Sequence, residues 1–331
     1  MKAYIVLPIY NVSVDSDVLN TELLDGYKII SNKIFFEEYK SKVITNEHTA
    51  FVRWLEEDIE IPKAGMMVTR PLAQYLIIKE YEIEHDYDNT VFSNFQNLER
   101  GLLNHLLLAL RLTQKGRCQV NRCYQFTKNT QGTISIDFST NLECMYSWLS
   151  TEETLFEDIY NFSSETIQKL KQTCLIVRPY SNEAIVPIGY FMQYYNTTST
   201  YDRIVKLAIV LESSVLAGLE QELNYRLKLR ASAFLKHDYR KMLDILYQLR
   251  SGIVHNGYIK KDCFDTLKKF LKDKDCSDTK ALFVFIKDYI EPLVREILHK
   301  AFEEFARNEK VNNFNQLFSN IDNKIFEHLT N

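Results

Sequence analysis

Proline is absent between Tyr201 and Glu291, and the whole chain of 331 residues holds six prolines and nine glycines. So few breakers over so long a stretch leave room for long helices there. No apolar run reaches the roughly 18 residues that a membrane-spanning helix needs. The N-terminal MKAYIVLPIYNVSVD lacks the apolar core and small-residue cleavage site of a signal peptide, so a cytoplasmic protein without a membrane partner is expected. The six cysteines (Cys118, Cys123, Cys144, Cys174, Cys263 and Cys276) include no C-x-x-C pair and no closely spaced histidines. This argues against a zinc site or a disulfide framework and for reduced structural thiols. No G-x-x-x-x-G-K-[ST], H-E-x-x-H, G-x-S-x-G or G-x-G-x-x-G occurs, so NTPase, zinc protease, serine hydrolase and dinucleotide-binding readings lose their main support. Neither metal nor cofactor is expected.

What is present is ample core material: 46% hydrophobic residues, with 20 Phe and 20 Tyr. The length allows two domains, and the pattern divides them as residues 1–195 and 200–331, an α+β arrangement. In the first, β-leaning runs AYIVLPIY, YKIISNKIFF, TAFVRWLE and QYLIIKEYEI are separated by polar turns. A helical period follows from Asn94 to Gln114, with Gly116 as a C-cap. Strand-like runs return at Gly132–Phe138 and Thr173–Pro179, and SNEAIVPIGYFMQYYNTTSTYD reads as a bridge. From Tyr201 an apolar stripe runs through Ile204, Leu207, Ala208, Leu211, Val215, Leu219 and Leu223. The segment Arg226–Arg250 reads as a second helix or a broken pair with Leu229, Ala233, Leu235, Leu243, Leu246 and Tyr247 in the core. Helical segments at 264–272, 279–308 and 311–329 follow, with Pro292 expected to kink or restart the middle one. The second half reads as an all-helical bundle.

Three places pair an Arg with a His after four to six intervening residues: Arg100-GLLN-His105, Arg230-ASAFLK-His237 and Arg250-SGIV-His255. Spacing alone does not choose among them. Around the third the sequence is DILYQLRSGIVHNGY, preceded by KLAIVLESSVLAGL with Glu212 in an apolar run. These two blocks, in this order, resemble Apea-like HEPN domains over about 130 residues. The resemblance implies a helical bundle that cuts RNA without a metal, of the kind found in bacterial toxin and phage-defence (abortive-infection) systems. It implies Arg250 and His255 as the catalytic pair, completed across a homodimer. Tyr247, Ser251, Asn256 and Glu212 would be supporting residues, and an antitoxin or a phage-derived trigger a further partner. Some members carry a modifiable Tyr two residues after the His; here that position is Gly257 and the Tyr is Tyr258, so regulation by that route is in doubt.

The chemistry of the residues stands beside the resemblance. Cleavage by the RNA's own 2′-hydroxyl needs proton transfer at neutral pH, which a His of pKa near ~6.5 supplies. It also needs fixed positive charge on the phosphate, which the Arg fork supplies. Five residues of α-helix separate the two side chains by about 140°, so either Gly252 and Gly257 let the helix bend, tighten or end, or two copies meet. The dimer is the favoured reading. Glu212 is either solvent-facing or a partner that orients Arg250. Between Arg226 and Lys261 nine basic residues face two acidic ones, a local +7 in a chain of net −4. That makes Arg226, Lys228, Arg230, Lys236, Arg240 and Lys241 candidate RNA contacts; the alternative is a solvated face neutralised elsewhere in the fold. The runner-up function is a non-catalytic HEPN-like module for RNA or nucleotide binding or dimerisation.

Overall fold

The computed structural model describes residues 2–39, 59–63, 66–70, 73–82, 100–120, 124–127, 158–178, 184–197 and 199–330. The expected strands at TAFVRWLE and Gly132–Phe138, and the first residues of the Asn94 helix, lie outside them. The described residues form two units, one ending at Cys174 and one starting at Leu175. The mixed α+β reading holds: the first unit carries an antiparallel sheet and the second is helical. No helix among the described residues is long and apolar enough to cross a membrane.

In the first unit β1 (Lys2–Tyr10) is the organising strand. One edge pairs with β7 (Tyr75–Glu82), Val6 opposite Ile78, and β7 pairs onward with β4 (Tyr27–Ser31) and β4 with β3 (Glu22–Leu24). The other edge pairs with β8 (Gln119–Val120) and β9 (Tyr124–Thr127). Pro8 falls between those last two pairings, where its missing N–H leaves no ladder bond unmade on that edge. Both faces of β1 are buried, Tyr4 and Val6 on one and Ile5, Leu7 and Ile9 on the other, hence a continuous rather than alternating apolar run. Apart from this sheet, β2 (Val12–Val14) pairs in parallel with β10 (Tyr160–Phe162), and β5 (Ile59–Lys63) with β6 (Met66–Arg70) as a hairpin.

Two sequence expectations change here. YKIISNKIFF is strand only to Ser31, whose hydroxyl accepts the Ile34 N–H at 3.2 Å and starts a helical turn running into π-helical Phe35–Tyr39. Helix α1 (Arg100–Thr113) closes at Gly116, where φ is +108° and the backbone of Ile159 and Tyr160 lies about 3.1 Å from where a Cβ would stand. The expected strand at Thr173–Pro179 is instead the end of α2 (Ser164–Val177). Ile167, Leu170, Cys174 and Val177 are buried at spacings of three and four, a helical period that overrides the short β-leaning run.

The second unit begins before residue 195. The supposed bridge is α3 (Ile185–Asn196), which packs on α4 (Thr200–Val215), the central helix of a bundle. Around α4 gather α5 (Leu223–Leu235), α6 (Arg240–Asn256), α8 (Asp278–Phe285), α9 (Glu291–Arg307) and α10 (Phe314–Thr330); α7 (Lys261–Leu271) packs on α6 and α8. Pro292 restarts the chain as expected: α9 opens on it after a π-helical turn at Ile286–Ile290. Buried Tyr195 donates its hydroxyl to Glu291 Oε1 at 2.5 Å, and Arg295 clamps the same carboxylate.

The apolar stripe of α4 stops at Val215 rather than reaching Leu223. Ser213 and Ser214 bond back to the Ile209 and Val210 carbonyls, and Gly218 turns the chain at φ +80° against the Asn315 side chain. The broken pair is observed: α5 ends at Lys236, in the left-handed region at φ +56°, before α6. Of the expected core, Ala233 on α5 and Tyr247 on α6 are exposed, while α5 turns Arg230 inward. Arg230 is 1% exposed. Its Nη1 donates to Val215 O at 2.8 Å and Ala217 O at 3.2 Å, and Nε and Nη2 grip Asp322 at 3.1 and 2.7 Å.

Removing one partner of such a pair leaves an uncompensated buried charge, costing about 3–5 kcal/mol. Asp322→Ala is expected at the lower end, since the Asp322 side chain keeps 15% exposure. Urea denaturation should show the midpoint fall; an unchanged midpoint would mean the pair contributes nothing net.

Candidate functional site

Helix α6 carries Arg250 and His255 and runs unbroken to Asn256, where Gly257 at φ +74° donates its N–H to Ile253 O at 3.0 Å. The helix thus ends at Gly257, one of the roles expected of the two glycines, and continues without a break through Gly252. The missing Cβ of Gly252 serves another purpose: the Tyr258 carbonyl lies 3.1 Å from where one would stand, so the chain folds back over the last turn. Arg250 and His255 stay about 140° apart around one axis.

The two arginines of this bundle are used differently. Arg230 has all three guanidinium nitrogens engaged. Arg250 makes one long contact, Nη2 to Glu212 Oε2 at 3.4 Å, and its Nε is buried without a hydrogen-bond partner. Of the two readings of Glu212, the structure has the orienting one: it leans from α4 toward Arg250, half-buried. Burial pushes its carboxyl above the ordinary value, with Arg250 pulling the other way. Arg250 is thus aimed but not saturated, with donors left for an oxyanion.

His255 is exposed at the end of α6, as is Asn256, and Ser251 is half-buried. Between Arg250 and His255 around the helix lie Tyr247 and Val254, 40% and 49% exposed, and Tyr258 follows at 56%. The Lys228–Asp244 ion pair, 2.6 Å, sets the level at which α5 runs beside α6. Tyr225 on α5 is exposed as well. Sequence reading took Tyr247 as core and passed over Tyr225 and Val254; three apolar residues out of phase with the buried period were the available signal.

The basic candidates fare unevenly. Arg230 is a core residue, which corrects its assignment as an RNA contact. Arg226 lies 3.7 Å from Glu222 and 3.9 Å from Asp322, Lys228 is held by Asp244, and exposed Arg240 is forked on Asp238 at 2.7 Å. A phosphate there would have to displace a carboxylate. Lys241 stands over the Phe270 ring at 5.7 Å, and Lys236 is exposed at the α5 terminus. Lys260 and Lys261, exposed just after the fold-back over Gly252, are nearer in sequence to His255 than any of the six. As for the competing matches, His237 falls beyond α5 and packs edge-on to Tyr239, while His105 is half-buried between Leu103 and Leu106 in the first unit.

The raised Glu212 carboxyl has a signed consequence. Folding favours its protonated form, so that stabilisation is complete below the ordinary value of 4.5 and fades as pH rises through the raised one. Relative to Glu212→Gln, the wild type should lose stability as pH rises from below 4.5 through the raised value. Thermal melts of both proteins across that range check it; a constant difference would show that burial does not reach this carboxyl.

Against family models, curated proteins and solved structures, no match is found for this chain.

Proposed function

We propose that the helical unit is a metal-independent endoribonuclease of the HEPN type, with Arg250 and His255 as its catalytic residues. The observation that carries this reading is the under-used guanidinium of Arg250, partly exposed and held by Glu212 through a single contact of 3.4 Å. A phosphorane offers the planar pair of oxygens that such a fork binds. His255, exposed on the same helix, takes or gives the proton. Because the pair is divided by about 140° on a straight helix, the reading requires two copies meeting on the strip of Tyr247, Val254 and Tyr258, each offering its His255 beside the other's Arg250. Lys260 and Lys261 then supply phosphate contacts. In this reading the protein belongs to a bacterial toxin or abortive-infection system, and an antitoxin or phage-derived trigger controls it.

A second reading, a non-catalytic RNA- or nucleotide-binding or dimerisation module, is favoured by one observation: among the described residues no hydrogen bond orients the His255 imidazole. A second copy would have to provide one.

The 331-residue chain incubated with total RNA in EDTA should leave products ending in 2′,3′-cyclic phosphate and 5′-hydroxyl. Arg250→Ala and His255→Ala should each lose about two to four powers of ten in rate. His105→Ala should cut normally. Light scattering should give twice the 39.0 kDa chain mass, and Tyr247→Asp with Val254→Asp should abolish both dimer and cleavage. Wild-type protein that never cuts RNA would transfer the conclusion to the binding module; a monomer that cuts would overturn the composite site.

The phosphate contacts have their own test. Lys260→Gln with Lys261→Gln should weaken RNA binding and reduce its dependence on log salt by about two contacts' worth, a slope change near 2. Arg226→Gln should leave that slope unchanged. The reverse pattern would return the interface to α5.

A further inference from the structure

The end of α5, the end of α9 and α10 enclose a cleft of about 470 Å3, within the usual range for small-molecule sites. Its floor is apolar, built from Phe234, Leu317 and Ile321. Lys236, Lys324 and Asn320 add polar groups to the lining. Glu304, the one carboxylate among the lining residues, already faces Arg307 at 3.7 Å. Lys236 and Lys324 have no ion-pair partner among the described residues, unlike Lys228, Arg230 and Arg240 on the neighbouring turns. The surplus charge in the cleft is therefore positive.

The walls are fixed before anything binds. Arg230, one turn before Phe234 on α5, grips Asp322, the residue after Ile321 on α10. Phe234 itself meets Phe318 edge-to-face at 5.3 Å. A cleft held this way does not collapse to fill itself, and its apolar floor with two unpaired cations above it asks for a ligand of matching polarity.

We infer that this cleft binds a small amphipathic organic anion, its ring or short acyl body on the Phe234–Ile321 floor and its phosphate or carboxylate at Lys236 and Lys324. An inorganic anion leaves the floor unused, and a neutral apolar molecule leaves the lysines unused. Lys236 also begins the turn into α6, so an occupant touches the segment that positions Arg250. The cleft itself rests on none of the nuclease chemistry.

The probe is anilinonaphthalene sulfonate, titrated by fluorescence into the full chain, beside uncharged phenylnaphthylamine and, by calorimetry, inorganic phosphate. Wild type should bind the sulfonate saturably and more tightly than either control. Lys236→Gln with Lys324→Gln should weaken it roughly tenfold. Ala233→Trp, at an exposed lining position, should abolish it by filling the space without removing a buried side chain. Circular dichroism establishes that both variants keep their helices. Absence of saturable binding to wild type, equal binding by the variants, or controls that bind as tightly as the sulfonate would each overturn the inference.

Discussion

The bundle depends on one buried ion pair. Arg230 joins three elements at once: the carbonyls that end α4, its own helix α5, and Asp322 of α10. An arginine taken that far from water is tolerable only when its nitrogens find partners, and here all three do. Because α5 is pinned by it, the α5–α6 hairpin is placed, and with α6 the lean of Glu212 toward Arg250. The same grip holds apart the two helix walls of the cleft around Phe234. A hydrophobic residue at 230 would bury as well, but it would not satisfy the carbonyls of Val215 and Ala217 that Gly218 exposes by turning the chain.

A second polar network does comparable work at the other end of α4. Tyr195, Glu291 and Arg295 form a closed set in which the carboxylate accepts from both neighbours, and burial with the adjacent Glu291 charge pushes the tyrosine hydroxyl well above its ordinary value. This set ties α3 to the start of α9, where Pro292 and the π-helical turn leave the backbone irregular. Low-dielectric networks of this kind are costly when half satisfied, so they specify one packing rather than several. They also explain why the helical unit starts as early as it does: α3 is fastened to α9 by polar contacts that no hydrophobic period announces.

Legibility followed the physics of each signal. The strands AYIVLPIY and QYLIIKEYEI were readable because a doubly buried run of β-branched and aromatic residues has few other uses. The helices of the second unit were readable from period and from the missing prolines. The supposed bridge was not, since α3 is apolar on several sides and so shows no one-faced helical period; its Pro187 sits in the first turn, where a proline is tolerated. The Thr173–Pro179 run failed for the opposite reason, being a short β-leaning stretch inside a longer helical period. At the candidate site, the Arg250 and His255 positions and the Glu212 partnership were within reach of the sequence. The fate of the basic stretch was not, because Glu222 and Asp322 enter from either side of it in the chain, and a charge count does not show that Asp244 and Asp238 inside it are committed to Lys228 and Arg240.

That last failure sharpens what distinguishes a working cation from a structural one. Counting lysines and arginines treats every positive charge as available, yet a charge already forked on a carboxylate must lose that partner before it can gain a phosphate. Arg240 with Asp238 and Arg230 with Asp322 would each exchange one short charged bond for another, with little net gain. Arg250 differs in kind. Its single contact is 3.4 Å long and its partner is a carboxyl whose burial already resists ionisation, so a phosphate oxygen reaching the exposed part of the guanidinium gains a bond without breaking a good one. Glu212 is then close enough to hold the guanidinium in orientation and weak enough to leave it to a substrate.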